Sequence, residues 1–337
     1  MRAISPFPAG STSTASDWTP SWNLFQLASM PEVSVLLPVR DGARTLALAM
    51  LSVLQQSLGD FELLVLDDGS VDASPDIALG FGDPRVRLLR DGMKQSLAAR
   101  LNQGIGAAAG RYIARMDADD VCFPDRFARQ VARLNAETSL DLVGCRALTF
   151  DDSGTATGLL PYRLNHEALC ARPWNGFYMA HPSWMGRAEW FRRFRYRTPE
   201  LIRSQDQELL LRAYPESRYA VLDEILLGYR MGPVVLRNIL SQRRCLLAAQ
   251  MARFSQRRQW GNLALALLAT GLKLPRDLLF ATTAGRRWRD RRGGNISPEL
   301  EQAWNELLRA LDRRLDELQL PHERAPGSLP KTQTHER

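Results

Sequence analysis

The chain has 337 residues, of which 45% are apolar, and it carries a formal net charge of +7. This length and apolar content allow a full core and predict one large domain with a smaller appendage. The four cysteines are widely spaced and form no Cys-Xaa-Xaa-Cys pair, which disfavours a metal-thiolate site and favours a reducing, cytoplasmic compartment. The sequence has no run of eighteen uncharged apolar residues, so we expect no membrane-spanning helix.

The two ends of the chain have the composition of segments outside the core. The first thirty residues are rich in Ser, Thr and Pro and contain no apolar stretch of signal-peptide character. We therefore expect residues 1–30 to form a disordered leader, with Met30 as an alternative start, and residues 322–337 to form a tail.

Strand and helix signals alternate from Pro31 onward. Strands are predicted by short apolar runs and helices by longer periodic segments with Pro or Ser at their starts. In chain order they are Val33–Val39 (strand), Leu46–Leu54 (helix), Phe61–Leu66 (strand), Pro75–Leu79 (helix), Val86–Leu89 (strand), Ser96–Ala109 (helix), Tyr112–Met116 (strand), Pro124–Leu134 (helix) and Leu140–Phe150 (strand). This alternation predicts a mostly parallel, Rossmann-like α/β sheet with helices on both faces.

Two of the predicted strands end in carboxylates. Asp67 and Asp68 close the second strand, and Asp117, Asp119 and Asp120 directly follow the fourth. The carboxyl ends of parallel strands meet at one edge of a sheet, where ligands bind at the point at which strand order reverses. Such oxygen ligands suit Mg²⁺ or Mn²⁺ held against a diphosphate. The alternative is that these aspartates merely cap helices, but repelling carboxylates would not be gathered there for stability alone.

The segment from Asp151 to Glu200 is less regular and is rich in Trp, Tyr and Arg. Its aromatic side chains could line an acceptor cleft or pack against the flank of the sheet, and we expect a mixture of the two. The residues concerned are Trp174, Phe177, Tyr178, His181 and Trp184.

From Val234 the sequence predicts helices, and the stretch from Arg237 to Arg292 is strongly basic, with Asp277 and Asp290 as its acidic residues. Aromatic residues are not interleaved with the charges, so we do not expect nucleic acid as a partner. Peripheral contact with an anionic membrane is one interpretation. The other is that the arginines are solvated and the leucines pack against the large domain; these leucines are Leu263, Leu265, Leu267, Leu268 and Leu272.

The last predicted helix is capped by Ser297 and Pro298, and its apolar residues recur at spacings of three and four. The apolar stripe covers about three heptads, which favours docking against the large domain over a coiled-coil seam, although a homodimer stays open. Its members are Leu300, Trp304, Leu307, Leu311, Leu315 and Leu318.

Taken together and in this order, the motifs resemble glycosyltransferase family 2, whose members use the nucleotide-sugar-binding fold called GT-A. So many ordered matches are more specific than any one motif. The resemblance implies a GT-A catalytic domain over residues 31–232. Outside the resemblance, the residues themselves predict a basic helical region over residues 233–321. The matching stretches are Val35–Gly42, Phe61–Ser70, Leu101–Ile105, Gly110–Asp120, Pro124–Arg126, His181–Ser183 and Ser204–Arg212.

The resemblance also implies an activity and a set of roles. The expected reaction is the inverting transfer of a sugar from a nucleotide sugar, with UDP as the expected nucleotide, to a hydroxyl of a glycan or lipid-linked acceptor. Asp206, which opens a predicted helix, would be the general base. Asp117 and Asp119 would hold Mg²⁺ or Mn²⁺. The residues expected to contact the donor are Pro38, Val39, Arg40, Asp68, Arg100, Asp117 and Ala118.

The sequence departs from the family pattern at two places. Gln205 stands just before the implied base, where the family commonly has a second carboxylate. Met231 and Gly232 stand where the family often has a His after a Tyr-Arg pair. His181 could replace that His, although a lone His before Pro is more often a structural hydrogen-bonding residue.

Two rival functions fit some of the same residues. A sugar nucleotidyltransferase also needs a metal-binding acidic turn, but it should carry a Gly-rich basic loop after the first strand, where this chain has only Arg40–Arg44. A non-catalytic nucleotide-sugar-binding subunit is suggested by Gln205 and the missing His. The aspartates that are retained argue against it, namely Asp68, Asp117, Asp119 and Asp206. The sequence does not indicate the donor sugar, the acceptor or the linkage.

Overall fold

The computed structural model describes residues 30–198, 203–232, 235–280 and 296–322. Almost all of the expected leader and of the expected tail lie outside these residues, as do the arginines from Arg286 to Arg292. None of the helices in the described part of the chain is both long and apolar enough to cross a bilayer.

Nine strands of the described residues form one sheet at the centre of the molecule. They are β1 (Val33–Val39), β2 (Phe61–Asp67), β3 (Val86–Leu89), β4 (Tyr112–Arg115), β5 (Val121–Cys122), β6 (Leu142–Phe150), β7 (Ala156–Leu159), β8 (Met185–Arg187) and β9 (Tyr219–Arg230). Their order is β3-β2-β1-β4-β8-β6-β9-β5, with β7 paired to β6. Neighbours among β1 to β4 are parallel, as are β6 and β9, whereas β5, β7 and β8 run antiparallel to their neighbours. The mostly parallel sheet is therefore as predicted.

The helices that surround the sheet begin with α1 (Leu46–Leu54), α2 (Ser74–Gly80), α3 (Leu97–Ala107), α4 (Arg126–Ala136) and α5 (His166–Cys170). They continue with α6 (Ala188–Arg193), α7 (Gln205–Ala213), α8 (Leu236–Gln256), α9 (Trp260–Phe280) and α10 (Pro298–Glu317). Single 3-10 turns occur at His181–Ser183 and Tyr214–Glu216. The predicted elements up to residue 150 are all present, and their ends differ from the prediction by at most two residues.

Two hydrophobic clusters cover the two faces of the sheet. Within β1, Val35 and Leu37 belong to the first cluster and Leu36 belongs to the second. They separate in this way because successive side chains of a strand point to opposite faces. Residues of α1, α4 and α10 complete the first cluster, and residues of α3, α6 and α7 complete the second. Helices on both faces, as predicted, thus leave the strand ends at the sheet edge for binding.

The last helix, α10, docks on the large domain by the apolar stripe that the sequence predicts. Trp304, Leu311 and Leu315 are buried in the first cluster, together with Leu308, which the prediction did not include. The indole Nε1 of Trp304 donates a hydrogen bond of 2.9 Å to the carbonyl oxygen of Gly154. The predicted docking of this helix is therefore confirmed.

Candidate active site

Three parallel strands, β1, β2 and β4, bring their carboxyl ends together at one edge of the sheet. Val39 at the end of β1 lies opposite Asp67 in the register with β2, and the amide of Asp68 donates to the carbonyl of Val39 at 2.8 Å. On the other side of β1, Leu36 lies opposite Arg115 at the end of β4. The acidic turns after β2 and β4 therefore flank the loop after β1, which is the gathering of carboxylates that the sequence predicts.

The turn after β4 forms a compact acidic cluster. Asp117, Asp119 and Asp120 each offer a carboxylate oxygen, and these oxygens lie within 4.8 Å of one another. The Oδ1 of Asp120 accepts a hydrogen bond of 2.8 Å from the amide of Arg230, while its buried Oδ2 has no hydrogen-bond partner. Burial, and then the charges of Asp117 and Asp119, raise the pKa of Asp120 well above its usual range.

Asp119 reaches solvent, but protein atoms crowd its carboxylate and Asp117 repels it, so that its pKa is raised to about 6. The charges of Arg230 and Arg115 act in the opposite direction. Three converging oxygens, an orphaned buried oxygen on Asp120 and mutual repulsion are what a bound divalent cation would relieve. The residues present thus fit Mg²⁺ or Mn²⁺.

Arg115, which the sequence analysis did not select, neutralises the first carboxylate of this cluster. Its side chain is buried, and both of its Nη atoms donate to Asp117, with a distance of 2.7 Å from Nη1 to Oδ2. A fork of two parallel hydrogen bonds fixes both the position and the orientation of a carboxylate. Asp117 is therefore held rigidly, whereas the carboxylates of Asp119 and Asp120 have no such arginine fork in the described residues.

Asp68, at the end of β2, is held by a buried arginine. Its Oδ1 accepts hydrogen bonds from the amide of Gln95 at 2.7 Å and from Nε of Arg100 at 3.0 Å. The two Nη groups of Arg100 donate to the two carboxylate oxygens of Asp91, at 2.7 and 2.9 Å, and Nη1 also donates to Gln103. Arg100 is fully buried, and its hydrogen bonds use protein partners. Its geometry therefore suits holding Asp68 in place more than direct contact with a donor.

A cavity of about 410 Å³ lies beside these turns and is lined by the loop after β1 and by the acidic cluster. Asp41 in that loop has a left-handed backbone, with φ of 50°, which is uncommon outside glycine. We call this the donor cavity, because it collects five of the residues that the sequence assigns to donor binding: Pro38, Val39, Arg40, Asp117 and Ala118.

A second cavity, of about 530 Å³, lies on the other side of Asp117, and we call it the acceptor cavity. Asp206, the expected base, lines it from the first turn of α7. The Nε2 of Gln207 donates to Asp206 at 3.1 Å, and the same side chain is fastened to the backbone of Phe177. Because Asp117 lines both cavities, ligands in the two would meet beside it.

His181 lies in the wall of the acceptor cavity in a structural role. Its Nε2 is 2.6 Å from the hydroxyl of Tyr196, and its ring packs edge-on against Trp184. Burial, together with the charge of Arg115, lowers its pKa well below the usual range, so the imidazole is neutral. Because its Nε2 is engaged by Tyr196, His181 fits the structural role better than that of the His missing after residue 230.

Arg230 instead brings a positive charge to the acidic cluster, and the sequence analysis did not select it. Its Nε donates to the carbonyl of Asp119 at 3.0 Å, and its Nη1 is 3.5 Å from Asp152. The guanidinium lies 4.7 Å from the centre of the Phe150 ring and lines the donor cavity. Its place beside the cluster follows from the pairing of β9 with β5, the short strand that directly follows Asp120, and sequence spacing does not reveal that pairing.

Comparison with known sequences identifies relatives of the chain. A sequence profile described as "Glycosyl transferase family 2" matches residues 34–195. The putative glycosyltransferase EpsE of Bacillus subtilis is 34% identical over 193 residues, which are 56% of this chain and 68% of EpsE. WfgD of Escherichia coli, named as a UDP-Glc:alpha-D-GlcNAc-diphosphoundecaprenol beta-1,3-glucosyltransferase, is 27% identical over 137 residues. That match spans 41% of this chain and 54% of the length of WfgD, or about half of it.

Solved structures share the fold. TarS 1-349 of S. aureus, in complex with UDP-GlcNAc, has a TM-score of 0.54 at 17% identity and covers 85% of this chain and 83% of its own. The mannosyltransferase PcManGT of Pyrobaculum calidifontis, in complex with GDP-Man and Mn²⁺, has a TM-score of 0.51 at 15% identity and covers 86% of this chain and 89% of its own. At these identities the likeness shows the fold alone, and it confirms the predicted GT-A architecture.

Proposed function

The chain belongs to glycosyltransferase family 2, and from this premise we propose that it moves a sugar from a nucleotide sugar, with UDP as nucleotide, to an acceptor hydroxyl with inversion. The observation that carries the proposal is that Asp117 lines both cavities, with an acidic cluster on the donor side and Asp206 on the acceptor side. Transfer between two ligands needs their reacting atoms to meet at one point.

In this proposal the nucleotide occupies the donor cavity beside the end of β1. Asp68, held by Arg100, accepts hydrogen bonds from the base edge, and the loop at Pro38 and Arg40 contacts the nucleoside. Arg230 adds positive charge near the diphosphate. Mg²⁺ or Mn²⁺ held by Asp117, Asp119 and Asp120 would supply charge neutralisation on the leaving diphosphate.

The acceptor hydroxyl attacks the anomeric carbon from the side opposite the diphosphate, which inverts the configuration at that carbon. Asp206 takes the hydroxyl proton as the new carbon–oxygen bond forms, and the bond to the diphosphate oxygen breaks. A positioned general base contributes roughly 10²–10⁴-fold to such a rate. Asp206 lies in the first turn of α7, which fixes its carboxylate at the wall of the acceptor cavity.

We propose assembly of a surface polysaccharide or a lipid-linked glycan as the process. The name of the relative WfgD specifies a sugar on a lipid diphosphate as acceptor, which supports an acceptor of this class for this chain. The acceptor cavity is lined by Phe177, Tyr178 and Tyr229, and aromatic faces suit the apolar faces of a sugar ring. Family membership disfavours the nucleotidyltransferase alternative, and the placement of Asp206 disfavours a non-catalytic subunit.

The donor assignment is tested by a panel of UDP- and GDP-sugars in thermal unfolding, each with Mn²⁺ and with EDTA. A ligand at a hundred times its dissociation constant adds roughly 2.7 kcal/mol to the free energy of unfolding. We expect stabilisation by UDP-sugars that needs Mn²⁺, followed by release of UDP when acceptor glycans are added. The absence of stabilisation by every nucleotide sugar in the presence of Mn²⁺ would contradict the proposal.

A further inference from the structure

The helix α9 presents a broad apolar face to solvent. Trp260 is 61% exposed, Leu267 47%, Leu268 58%, Leu272 70% and Leu278 52%. At about 100° per residue these positions fall within an arc of about 140°, so they share one broad side of the helix. Soluble monomers rarely expose a continuous apolar surface of this kind unless it binds something.

The opposite side of α9 packs against the large domain, so the helix is held in place while its leucine face stays exposed. Ala266 is fully buried, Leu263 packs against the second cluster, and Lys273 Nζ donates to the carbonyl of Asn175 at 3.4 Å. One of the two interpretations drawn from the sequence was that the leucines of this region pack on the large domain. That interpretation is wrong for Leu265, Leu267, Leu268 and Leu272, which are exposed, and holds only for Leu263.

The exposed charges of α8, of α9 and of the turn between them are positive in the described residues. Residues 235–280 contain eight basic residues and one acidic residue, Asp277. Asp277 is buried and accepts two hydrogen bonds from Arg243, at 2.7 and 3.1 Å, so it does not offset the surface charge. The exposed arginines of this segment are Arg237, Arg244, Arg257 and Arg258.

We propose that α9 is an interfacial helix that binds the surface of an anionic lipid bilayer. Its leucine face would enter the boundary between headgroups and acyl chains, while the arginines of α8 and of the turn before α9 contact lipid phosphates. The positive charge favours a bilayer over a second copy of this chain as the binding partner. Two such arginine-rich surfaces would repel each other, whereas anionic headgroups attract them.

The proposed membrane surface is connected to the acceptor cavity. The helix α8 packs on both α9 and α7, and its Gln242 lines the acceptor cavity close to Asp206. Binding of α9 to a bilayer would therefore hold this cavity near acceptors that are anchored in lipid. This consequence rests on the proposed transfer reaction, whereas bilayer binding itself does not.

Sedimentation of the full chain with vesicles, without nucleotide, tests the inference. We expect binding to vesicles of phosphatidylglycerol and phosphatidylcholine that weakens as salt rises, and much weaker binding to phosphatidylcholine alone. Leu272→Glu should weaken binding about tenfold or more, because an apolar contact is lost and a negative charge is added. Replacing Arg244 and Arg257 by Gln should weaken it about fivefold per arginine.

The matched control is Leu79→Glu, since Leu79 is a 64% exposed leucine on α2 and the change in charge is the same. It should bind vesicles as the wild type does. The absence of binding to anionic vesicles at low salt, or equal loss in both leucine variants, would overturn the inference. A wild-type dimer that Leu272→Glu converts to monomer without any vesicle binding would also overturn it. The nucleotide-sugar assays are measured separately, so failure of one proposal does not imply failure of the other.

Discussion

At the scale of single residues, the site depends on which carboxylates have an arginine partner and which do not. Asp68 is paired with Arg100 and Asp117 with Arg115, so both are fixed in place. Asp119 and the buried Oδ2 of Asp120 lack such a partner in the described residues. In this cluster Asp117 is paired with an arginine, and the carboxylates of Asp119 and Asp120 are not. A cation could therefore bind the latter two without breaking an existing ion pair.

The first prediction concerns the metal. Asp119→Ala should abolish metal-dependent nucleotide binding, because it removes one of the oxygens that converge in the acidic cluster. Calorimetry with UDP measures this in Mn²⁺ and in EDTA, with Asp76→Ala as control, since Asp76 is an exposed aspartate on α2. UDP affinity that is the same in EDTA as in Mn²⁺ would refute the metal assignment.

The second prediction concerns the buried partner of Asp117. Arg115→Met should lower the free energy of unfolding by about 3 kcal/mol, because removing one member of a buried ion pair leaves the other uncompensated. Arg129→Met is the matched control, since Arg129 forms an exposed pair with Glu224 and should cost about 1 kcal/mol or less. Denaturant unfolding measures both, and equal losses would contradict the account of Arg115.

The third prediction concerns the ion pair between Asp91 and Arg100, the arginine that also binds Asp68. Hydrogen bonds from Arg100 lower the pKa of Asp91 to about 2, whereas an unfolded Asp titrates near pH ~3.9. The stabilisation from this carboxylate is therefore fully present above about pH 4 and is lost as the pH falls towards about 2. We expect the difference in melting temperature between wild type and Asp91→Asn to shrink over this range. A difference that stays constant from pH 5 to pH 2.5 would exclude the pairing.

The sequence predicted the aspartates of the site, and it selected Arg100 as a donor contact, but it did not predict which arginines pair with these aspartates. Asp68, Asp117 and Asp206 stand in short motifs whose neighbours along the chain already indicate their place. The partners of Arg100 and Arg230 come from distant parts of the chain, at separations of 32 residues for Asp68 and 111 for Asp119. Such pairs follow from how strands and helices pack, which residue spacing does not reveal.

At the scale of elements, the early strands were predictable as apolar runs and the early helices as apolar or amphipathic segments, with Gly, Pro or Asp near their ends. The strands β8 and β9 were not predicted. Met185–Arg187 is too short to show a period, and β9 has exposed charged residues at its centre, Asp223 and Glu224. Irregular register between β6 and β9 accommodates this polar stretch. Without β9, the position of Arg230 beside the acidic cluster could not be foreseen.

The fourth prediction tests the docking of α10 on β9. A Cβ at Gly228 would lie 2.4 Å from two ring carbons of Trp304, and a real Cβ cannot approach so closely. Gly228→Ala should therefore displace α10 and lower the free energy of unfolding by about 1–3 kcal/mol, as expected for overpacking. Gly271→Ala in α9 is the control, because a Cβ there meets nothing within 4 Å. In a helix interior it should stabilise by about 1 kcal/mol.

Thermal or denaturant unfolding of the two glycine variants gives opposite signs if α10 is docked as described. A Gly228→Ala variant as stable as the wild type would mean that Trp304 does not pack on β9 in solution. Loss of stability in both variants would point to a general intolerance of the added methyl group, and it would contradict the packing argument for residue 228.

At the scale of the whole molecule, one sheet edge supports two cavities that share Asp117. The loop after β1 and the turn after β4 supply most of the donor cavity, to which Asp152 and Arg230 are added. The later segment supplies Asp206 and most of the wall of the acceptor cavity. The C-terminal helices add Gln242 to that wall and carry the exposed leucine face of α9. The sequence indicated the catalytic half by its motifs, but the contribution of α8 to the acceptor cavity required the tertiary structure.

The most direct measurement of the central claim is single-turnover sugar transfer by Asp206→Asn, compared with wild type and with Asp76→Asn as an exposed control. We predict that Asp206→Asn binds the donor with unchanged affinity and transfers its sugar about 10²–10⁴-fold more slowly, because the base touches the acceptor proton and not the diphosphate. Asp76→Asn should match the wild type. Transfer by Asp206→Asn at the wild-type rate would contradict the assignment of the base and, with it, the division of the site into a donor side and an acceptor side.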